Sequence, residues 1–409
     1  MRNFENILLK ALEEKHYFTN EDLRMNKKNN ILFESHELKE YLCFKDNFYH
    51  ETKVELSLIS FNSTKMYYFK SNELNTSLQE YLEFINNDLF EKESTIISDN
   101  YEDIIVSRMA SELDGTLRIE GVNTTRRQMM DIYNNVKDKL DSNDVIIRNM
   151  IKGFEYISKK PKLNKDNLIT LYNILSKDSL TKETTLDGQY YRLDKVYVRE
   201  HQGCPANEID KCMDSLFEYV NFEINNRNFY LPFIAHYYML YIHPYYDYNG
   251  RTARMVSLWV GLLSDMNELL PTFISEAIND DKINYYKAID NTRFSHNDLT
   301  YFILYLLNLS NKYYLVYKNL NVIKKELAYI GESLSSTESY YLKRIMINSK
   351  KGWFNYRGFI DFCKIDITKQ GALKILNKLL KYGLLVSRYN SKNEKVFMIK
   401  MIKYYIKFK

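Results

Sequence analysis

Apolar residues recur at three- and four-residue spacing along most of this chain, which is the period of an amphipathic helix. From about residue 100 to residue 312 the pattern predicts consecutive helices, interrupted between 181 and 198, where turn and strand signals mix. The segment at 231–242 is apolar nearly all round, which predicts a buried helix. A polar break and a second helical run at 251–266 follow it. The pattern therefore predicts a mainly α fold.

The N-terminal part has a different pattern. Residues 1–98 open with an amphipathic helix, continue with two strand-like stretches between 54 and 69, and contain a helix within 72–90. The start of that last helix is open, because Thr76 and Ser77 each fit a capping box. We therefore expect an N-terminal α+β unit, whose role the sequence does not indicate.

The C-terminal part predicts a helix-turn-helix followed by a β-ribbon. A linker helix is expected at 313–335, and residues 336–409 contain three helical segments, a short strand near Trp353 and a ribbon with its tip near Asn390. This is the pattern of a winged helix. The expected organisation is therefore an N-terminal unit at 1–98, a central helical domain at 99–312, the linker helix and the winged helix.

Length and composition narrow the class of protein. The chain has 409 residues, and domains of roughly 150 residues predict two or three of them. No apolar run approaches the ~18 residues of a membrane span, and the N-terminus lacks the pattern of a secretory signal. The four scattered cysteines, Cys43, Cys204, Cys212 and Cys363, are expected to be free thiols. We therefore predict a cytoplasmic protein that does not associate with membranes.

Charge is distributed unevenly along the chain. From Tyr340 to Lys409 there are 17 Lys and Arg residues and 3 acidic ones, a net charge of +14. The preceding residues carry 40 basic and 50 acidic side chains, a net charge of −10. Such asymmetry indicates that the basic C-terminal domain contacts a polyanion, and DNA is the expected partner.

The residues that point to chemistry lie in the segment HPYYDYNGRTAR (243–254). Backbone N–H groups in a loop that opens a helix form an anion-binding nest, and Arg251 and Arg254 share one face of that helix. Two guanidiniums beside a nest suit a polyphosphate, and the carboxylate of Asp247 suits a Mg²⁺ ion that accompanies phosphates. His243 can accept a proton near neutral pH. The segment thus predicts a base, a metal carboxylate and a phosphate clamp.

This segment resembles the signature of the Fic family, HPFx[D/E]GNGRxxR. Tyr245 stands where the family has phenylalanine, and Tyr248 stands where it has the first glycine. Since a tyrosine also supplies a backbone N–H, anion binding survives the second change. The resemblance covers roughly residues 100–312 and implies a Fic helical bundle with a β-hairpin flap. The signature is matched at His243, Pro244, Asp247, Asn249, Gly250, Arg251 and Arg254.

Further segments resemble other parts of the family. GQYYR at 188–192, which has one residue more than the usual Gly-x-aromatic-Arg, and VYV at 196–198 resemble the flap that pins the backbone of the target protein. Tyr285 and Tyr286 resemble a tyrosine pair near the adenine, whereas we interpret His236 as a packed core residue. The flap residues implied for target docking are Gly188, Tyr191, Arg192, Val196 and Val198.

Thr116, Glu120 and Gly121 resemble the inhibitory motif of the family, [S/T]xxxE[G/N]. Its position ahead of the core is that of class II members. There the glutamate pairs with the second arginine of the signature, here Arg254, and blocks the γ-phosphate of ATP. The resemblance therefore implies autoinhibition, since a carboxylate and a phosphate compete for one guanidinium.

By this resemblance the protein transfers AMP from Mg²⁺–ATP to a Ser, Thr or Tyr hydroxyl of a target protein, with His243 as the base and Asp247 holding the metal. Two alternatives remain open. The same site removes AMP from a modified protein, with Glu120 orienting water, or the chain is a DNA-binding regulator whose Fic core senses a nucleotide. A homodimer is a further expectation. The residues implied to bind the nucleotide are Asn249, Gly250, Arg251, Arg254, Tyr285 and Tyr286.

Overall fold

The structure is a computed structural model that divides into two compact units, Met1–Ser310 and Asn311–Lys409. Among the described residues, no helix combines the length and the apolar character that a membrane crossing requires. All four cysteines are described, and none of them forms a disulfide. The described residues are 4–13, 17, 35–62, 64–86, 112–122, 124–136, 139–198, 201–226, 228–264, 274–349, 352–363 and 365–400.

The first unit is mainly helical, with two small antiparallel hairpins, so the predicted mainly α class is confirmed. Strand β1 (Lys53–Glu55) pairs with β2 (Tyr67–Phe69), and β3 (Tyr197–Val198) pairs with β4 (His201–Gln202). The helices are α1 (Phe4–Glu13), α2 (Ser35–Phe48), α3 (Asn72–Asn86), α4 (described over 112–119), α5 (Arg126–Tyr133), α6 (Ser142–Ser158), α7 (Lys165–Ser176), α8 (Ile209–Glu223), α9 (Leu231–Ile242), α10 (Asn249–Leu263), α11 (Ile274–Asp280), α12 (Lys282–Phe294) and α13 (Thr300–Tyr329), the last of which crosses the boundary of the two units.

Helices α9 and α10 form the centre of the first unit, and α6 and α7 pack beside them. Every residue of α9 except Leu240 is buried, as its apolar sequence predicts. In α10 the indole N–H of Trp259 donates a hydrogen bond to the Pro161 carbonyl (2.8 Å), and the Ser257 hydroxyl donates to the Pro232 carbonyl (2.9 Å). Because both helices are fixed in the core, the loop that joins them has rigid ends.

The described segments before residue 87 pack on this bundle and belong to the same compact unit. The Tyr238 hydroxyl donates to the carbonyl of Ile59 (2.6 Å). Strand β2 adds backbone bonds to the loop before α13, since the Leu299 N–H donates to the Tyr67 carbonyl at 2.7 Å. The Lys45 ammonium donates to the Asp298 carboxylate at 2.8 Å, and these side chains are 2% and 0% exposed.

Two of the expected element boundaries differ from the structure. Helix α3 begins at Asn72, so Thr76 and Ser77 lie inside it and both proposed capping boxes are wrong. The Ser71 hydroxyl accepts a bond from the Leu74 N–H (3.2 Å) at the helix start, while the Thr76 hydroxyl donates back to the Asn72 carbonyl (2.9 Å). Helix α10 begins two residues earlier than the run predicted from residue 251. In both cases residues with weak helix preference extend the helix because its apolar face is buried.

The second unit contains the predicted succession of three helices and a terminal hairpin. These are α14 (Ser336–Asn348), α15 (Tyr356–Cys363), α16 (Lys369–Lys381), β5 (Leu385–Tyr389) and β6 (Lys395–Ile399). A capping box between Ser335 and Glu338 starts α14, and the Thr368 hydroxyl caps α16. The strand expected near Trp353 is reduced to one bridge, in which Phe354 and Phe397 exchange two backbone hydrogen bonds (2.9 and 2.7 Å).

The buried pair of Lys45 and Asp298 generates a stability prediction. Lys45→Met leaves the Asp298 carboxylate buried without its cation, and we expect a loss of about 3–5 kcal/mol in the free energy of unfolding. Urea unfolding followed by circular dichroism measures it. Lys65→Met is the matched control, because Lys65 and Glu55 form a largely exposed pair that is worth about 1 kcal/mol or less. Equal losses in the two variants would show that the buried pair of Lys45 and Asp298 contributes no more to stability than the exposed pair.

Candidate active site

The loop from His243 to Tyr248 joins the two central helices and carries most of the predicted chemistry. His243 is the C-cap residue of α9, and it has the left-handed conformation with φ 55° and ψ 61°. Its N–H donates to the Met239 carbonyl (3.0 Å) and completes the helix end. Left-handed backbone is uncommon for a residue other than glycine, so this conformation requires support from surrounding contacts.

Arg192 supplies that support. Its Nε donates to the His243 carbonyl (2.8 Å), its Nη2 donates to the Cys204 carbonyl (2.6 Å), and its backbone N–H donates to the Pro244 carbonyl (3.0 Å). The side chain is 1% exposed, and burial lowers the pKa of its guanidinium. Arg192 therefore fixes the loop from within the protein, and the role in target docking that the resemblance implied for it stays a prediction.

The other predicted flap residues differ in how deeply they are buried. Tyr191 is buried, with its ring centroid 6.2 Å from that of Tyr245. Gly188 lies in a turn with φ 84°. Val198 pairs with His201 in the β3–β4 hairpin, and the Gly203 N–H closes this hairpin on the Val196 carbonyl (2.9 Å). The hairpin region therefore contains the predicted flap residues that remain accessible to a target protein.

Asn249 is engaged within the loop. Its Oδ1 accepts the Tyr245 N–H (2.9 Å), and its Nδ2 donates to the Tyr245 carbonyl (2.7 Å). The side chain is 3% exposed. Both polar ends of the amide thus hold the loop together, so that anion binding at this position falls to the backbone N–H.

The N-terminus of α10 has the form of an anion-binding nest. Its first backbone bond runs from the Thr252 N–H to the Tyr248 carbonyl (2.9 Å), so the three preceding N–H groups have no partner within the helix. Arg251 is 8% exposed and lies 3.8 Å from Asp247, measured from Nη2 to Oδ1. The positive end of the helix and the guanidinium together favour a negatively charged group here.

Glu120 points its carboxylate at this nest. The Arg254 Nη2 donates to Glu120 Oε1 (2.6 Å), and the Arg254 Nε donates to the Thr116 hydroxyl (2.7 Å). Burial alone would raise the pKa of Glu120, but the charge and hydrogen bond of Arg254 hold it below the usual value. A Cβ on Gly250 would lie 2.8 Å from Glu120 Oε1, so a side chain there would displace the carboxylate. The acid is therefore ionised and occupies the space in front of the nest.

Helix α4, which carries Thr116 and ends just before Glu120, is held at both ends. A Cβ on Gly115 would lie 2.3 Å from the backbone nitrogen of Glu276, so the glycine permits direct backbone contact with α11. At the other end the Lys282 ammonium donates to the carbonyls of Arg118 (2.7 Å) and Ile119 (3.0 Å). Gly121 follows with φ 82° and ends the helical turn. These contacts fix the position from which Glu120 reaches Arg254.

The tyrosine pair lies beside Arg254. Tyr285 is 2% exposed, and its hydroxyl and the His236 Nε2 are 3.0 Å apart. Burial, with a smaller effect of the positive charge on Arg254, lowers the pKa of His236 to about 3, which agrees with its interpretation as a neutral core residue. Tyr286 is less buried, with its ring centroid 5.4 Å from that of Tyr285. Of the two rings, Tyr286 is thus the more accessible to a ligand.

His243 is neutral in this environment. Burial, with smaller effects of the charges on Arg192, His201 and Arg293, lowers its pKa to about 4. A hydrogen bond with the backbone of Leu240 acts in the opposite direction. At neutral pH the ring therefore has a lone pair that can accept a proton.

Asp247 fits the single carboxylate that a Mg²⁺ ion commonly takes from a protein when it also binds phosphates. Its side chain is 51% exposed, and its Oδ1 accepts the Tyr248 N–H (2.6 Å). Among the described residues, no three His, Cys, Asp or Glu side chains form a metal-binding group. The donor set thus suits a metal that arrives with a ligand better than a resident one.

The helical bundle thus carries a neutral histidine at a helix end, a helix N-terminus and two arginines, which together form a site suited to a phosphate group. Residues 162–260 match the model of the Fic/DOC family. The matched segment includes the loop from His243 to Tyr248 and the start of α10 with Arg251 and Arg254.

The similar proteins are distant. The chain is 23% identical over 180 residues to the protein adenylyltransferase Fic of Nematostella vectensis, a match covering 43% of this chain and 40% of that protein. The chain thus matches less than half the length of this curated relative. Its fold is similar to that of a Fic family protein from Desulfovibrio desulfuricans G20, with a TM-score of 0.50, 16% identity, and coverage of 81% of this chain and 97% of the other. Fic-1 from C. elegans gives a TM-score of 0.46, 17% identity, and coverage of 60% and 71%.

Sequence reasoning missed several residues that shape the site. Gly115 and Lys282 fix α4, and Ser179 contacts Tyr248 through its hydroxyl. None of the three lies in a motif, and their spacing from the signature carries no pattern. Their contribution arises from contacts between segments that are distant in sequence.

The pKa of His243 can be measured directly. We expect its ring protons to titrate in NMR spectra with a midpoint near pH 4 rather than at the usual value of about 6.5. Because the unfolded ring binds a proton at higher pH than the folded one, this group lowers stability as pH falls from about 6.5 towards 4. His243→Gln assigns the signal. A midpoint near 6.5 would show that the ring is solvated and would contradict the structure.

Proposed function

We propose that this protein transfers AMP from ATP to a hydroxyl group of a target protein. The observation that carries the proposal is the placement of His243 at one end of a short loop, and of the first N–H groups of α10, Arg251 and Arg254 at its other end. The match of residues 162–260 to the Fic/DOC family and the similarity to a protein named as an adenylyltransferase support it.

In the proposed reaction the triphosphate docks on the nest. The backbone N–H groups of Asn249 and Gly250, with the Arg251 side chain, hold the α- and β-phosphates, and Arg254 holds the γ-phosphate once Glu120 has left it. A Mg²⁺ ion held by Asp247 would neutralise phosphate charge when bound. These groups orient the α-phosphorus towards the acceptor and stabilise the charge that develops on its oxygens.

His243 accepts the proton of the acceptor hydroxyl as the oxygen attacks the α-phosphorus, and pyrophosphate leaves. A base with a pKa of about 4 is weak at neutral pH, because a base works best when its pKa is near the working pH. The bound phosphates add negative charge near the ring and therefore raise its pKa towards neutrality. The β3–β4 hairpin presents its exposed edge, which includes Tyr197 at 63% exposure, to the target segment.

We further propose that the observed state is autoinhibited. Glu120 and the γ-phosphate require the same face of the Arg254 guanidinium, so the two cannot bind together. The ion pair is buried on the arginine side, at 4% exposure, and 32% exposed on the glutamate side. Displacement of the partly exposed carboxylate is thus the step that opens the site.

Glu120→Gly should raise AMP transfer, including self-modification, by about tenfold or more, because each ~1.4 kcal/mol removed from the blocked state changes occupancy tenfold. Incorporation of AMP from labelled ATP, confirmed by mass spectrometry, measures it. Asp114→Asn is the matched control, since this carboxylate of the same helix pairs with Arg118 instead and its loss should leave transfer unchanged.

Adding Arg254→Ala or His243→Ala to Glu120→Gly should abolish the gain. A Glu120→Gly variant that transfers no more AMP than the unmodified chain, but no longer removes AMP from a modified protein, would favour the hydrolytic alternative. In that reaction Glu120 orients the attacking water. A variant with neither change would remove Glu120 from the mechanism.

The second unit supports an additional proposal, contact with DNA. Helix α16 follows a turn and precedes the hairpin, and Lys369, Lys374 and Lys381 are exposed along it. Lys378, which would also be expected to contribute, forms an ion pair with Glu338. Exposed cations on a helix that follows a turn can pair with the phosphates of a DNA groove.

If these lysines contact phosphates, each of Lys369→Gln, Lys374→Gln and Lys381→Gln should reduce the slope of log affinity against log salt by about 1. Fluorescence anisotropy of the full chain with duplex DNA at several salt concentrations measures the slope. Lys152→Gln, an exposed change on α6, should leave it unaltered. A full chain without DNA affinity at low salt would refute the proposal.

A further inference from the structure

Tyr248 has a backbone conformation that its side chain disfavours. Its φ is 65° and its ψ is 6°, in the left-handed region, where glycine is at home and a residue with a Cβ is strained. The side chain is nevertheless almost fully buried, at 3% exposure. A strained residue persists when its surroundings make contacts that compensate for the strain, so the contacts of the ring show what the tyrosine does.

The Arg251 guanidinium stacks on one face of the Tyr248 ring. The Cζ of the guanidinium lies 3.5 Å from the centroid of the Tyr248 ring, which is the distance of direct stacking. Among the described residues the Arg251 Nε has no hydrogen-bond partner, although it is buried, and the Asp247 carboxylate is 3.8 Å from Nη2. The ring therefore orients the guanidinium plane and leaves its donors to an incoming anion.

The hydroxyl of Tyr248 is anchored at the opposite side. It lies 2.6 Å from the Ser179 hydroxyl, in the turn that follows α7. The backbone N–H of the same residue donates to Asp247 Oδ1 (2.6 Å). One residue thus connects the arginine, the carboxylate and a turn of the bundle.

We propose that Tyr248 is a positioning residue of the phosphate site, which holds the Arg251 guanidinium by stacking and sets the affinity for the phosphate chain of the nucleotide. This inference rests on the proposed function. A phosphate needs two donors in the guanidinium plane, and an arginine fixed by a ring loses less side-chain freedom when the phosphate binds. The strain in the Tyr248 backbone is thereby offset by an Arg251 guanidinium that is already ordered.

The test compares full-length variants in the Glu120→Gly background, with binding of Mg²⁺–ATP and of adenosine measured by calorimetry. Tyr248→Leu and Tyr248→Gly both remove the stacked ring, and each should weaken ATP binding about three- to tenfold while leaving adenosine binding unchanged. Tyr248→Phe and Ser179→Ala keep the ring and remove one hydrogen bond, so each should have a smaller effect of equal size. Thermal unfolding of each variant verifies that it is folded.

The outcomes separate the possible failures. If Glu120→Gly itself binds ATP no better than adenosine, the proposed function and this inference are both overturned. If it binds ATP and Tyr248→Leu binds ATP equally well, the inference alone is overturned. If Tyr248→Gly keeps full ATP affinity while Tyr248→Leu loses it, the backbone conformation and not the ring determines binding, and the inference is again wrong. Equal losses for ATP and adenosine would show a merely structural role.

Discussion

The chain must pass from one buried helix to another within six residues, and two of those residues, His243 and Tyr248, have positive φ. This constraint determines much of the surrounding structure. Left-handed backbone outside glycine costs about 1–2 kcal/mol per residue, so it needs compensating contacts. The Arg192 side chain donates a hydrogen bond to the His243 carbonyl, and the Asn249 side chain makes two hydrogen bonds with the backbone of Tyr245 in the middle of the loop. The result is a rigid turn with a histidine at one end and a helix N-terminus at the other.

The positive charge at the start of α10 is balanced by two carboxylates. The nest and two arginines would be left with unsatisfied donors and concentrated positive charge if nothing anionic were near. Glu120 satisfies Arg254, and the half-exposed Asp247 lies near Arg251. The carboxylate of Glu120 is less buried than the arginine it contacts, which makes it the partner that an anionic ligand can replace. Stability of the unliganded protein and inhibition of the proposed reaction thus depend on one ion pair.

The support for this arrangement extends well beyond the matched family segment. Helix α4, which presents Glu120, is fixed by α11 and by Lys282 at the start of α12. The N-terminal segments contact α9 through Ile59 and Tyr238, so the helix that ends in His243 is braced from outside the bundle as well. An early segment therefore belongs to the same compact unit as the site, while its boundary near residue 98 stays a prediction.

The sequence by itself determined the helical class, the buried character of α9, the loop with its histidine and arginines, and the glutamate ahead of the core. These follow from local periodicity and from a motif whose residues are neighbours in the chain. Tertiary structure decided what each side chain does. It gave the side chains of Arg192 and Asn249 the role of supports of the loop, and it brought Gly115, Ser179 and Lys282 to the site. The reason is physical: whether a polar group is offered to a ligand depends on which buried partners already satisfy it, and those partners come from segments far apart in sequence.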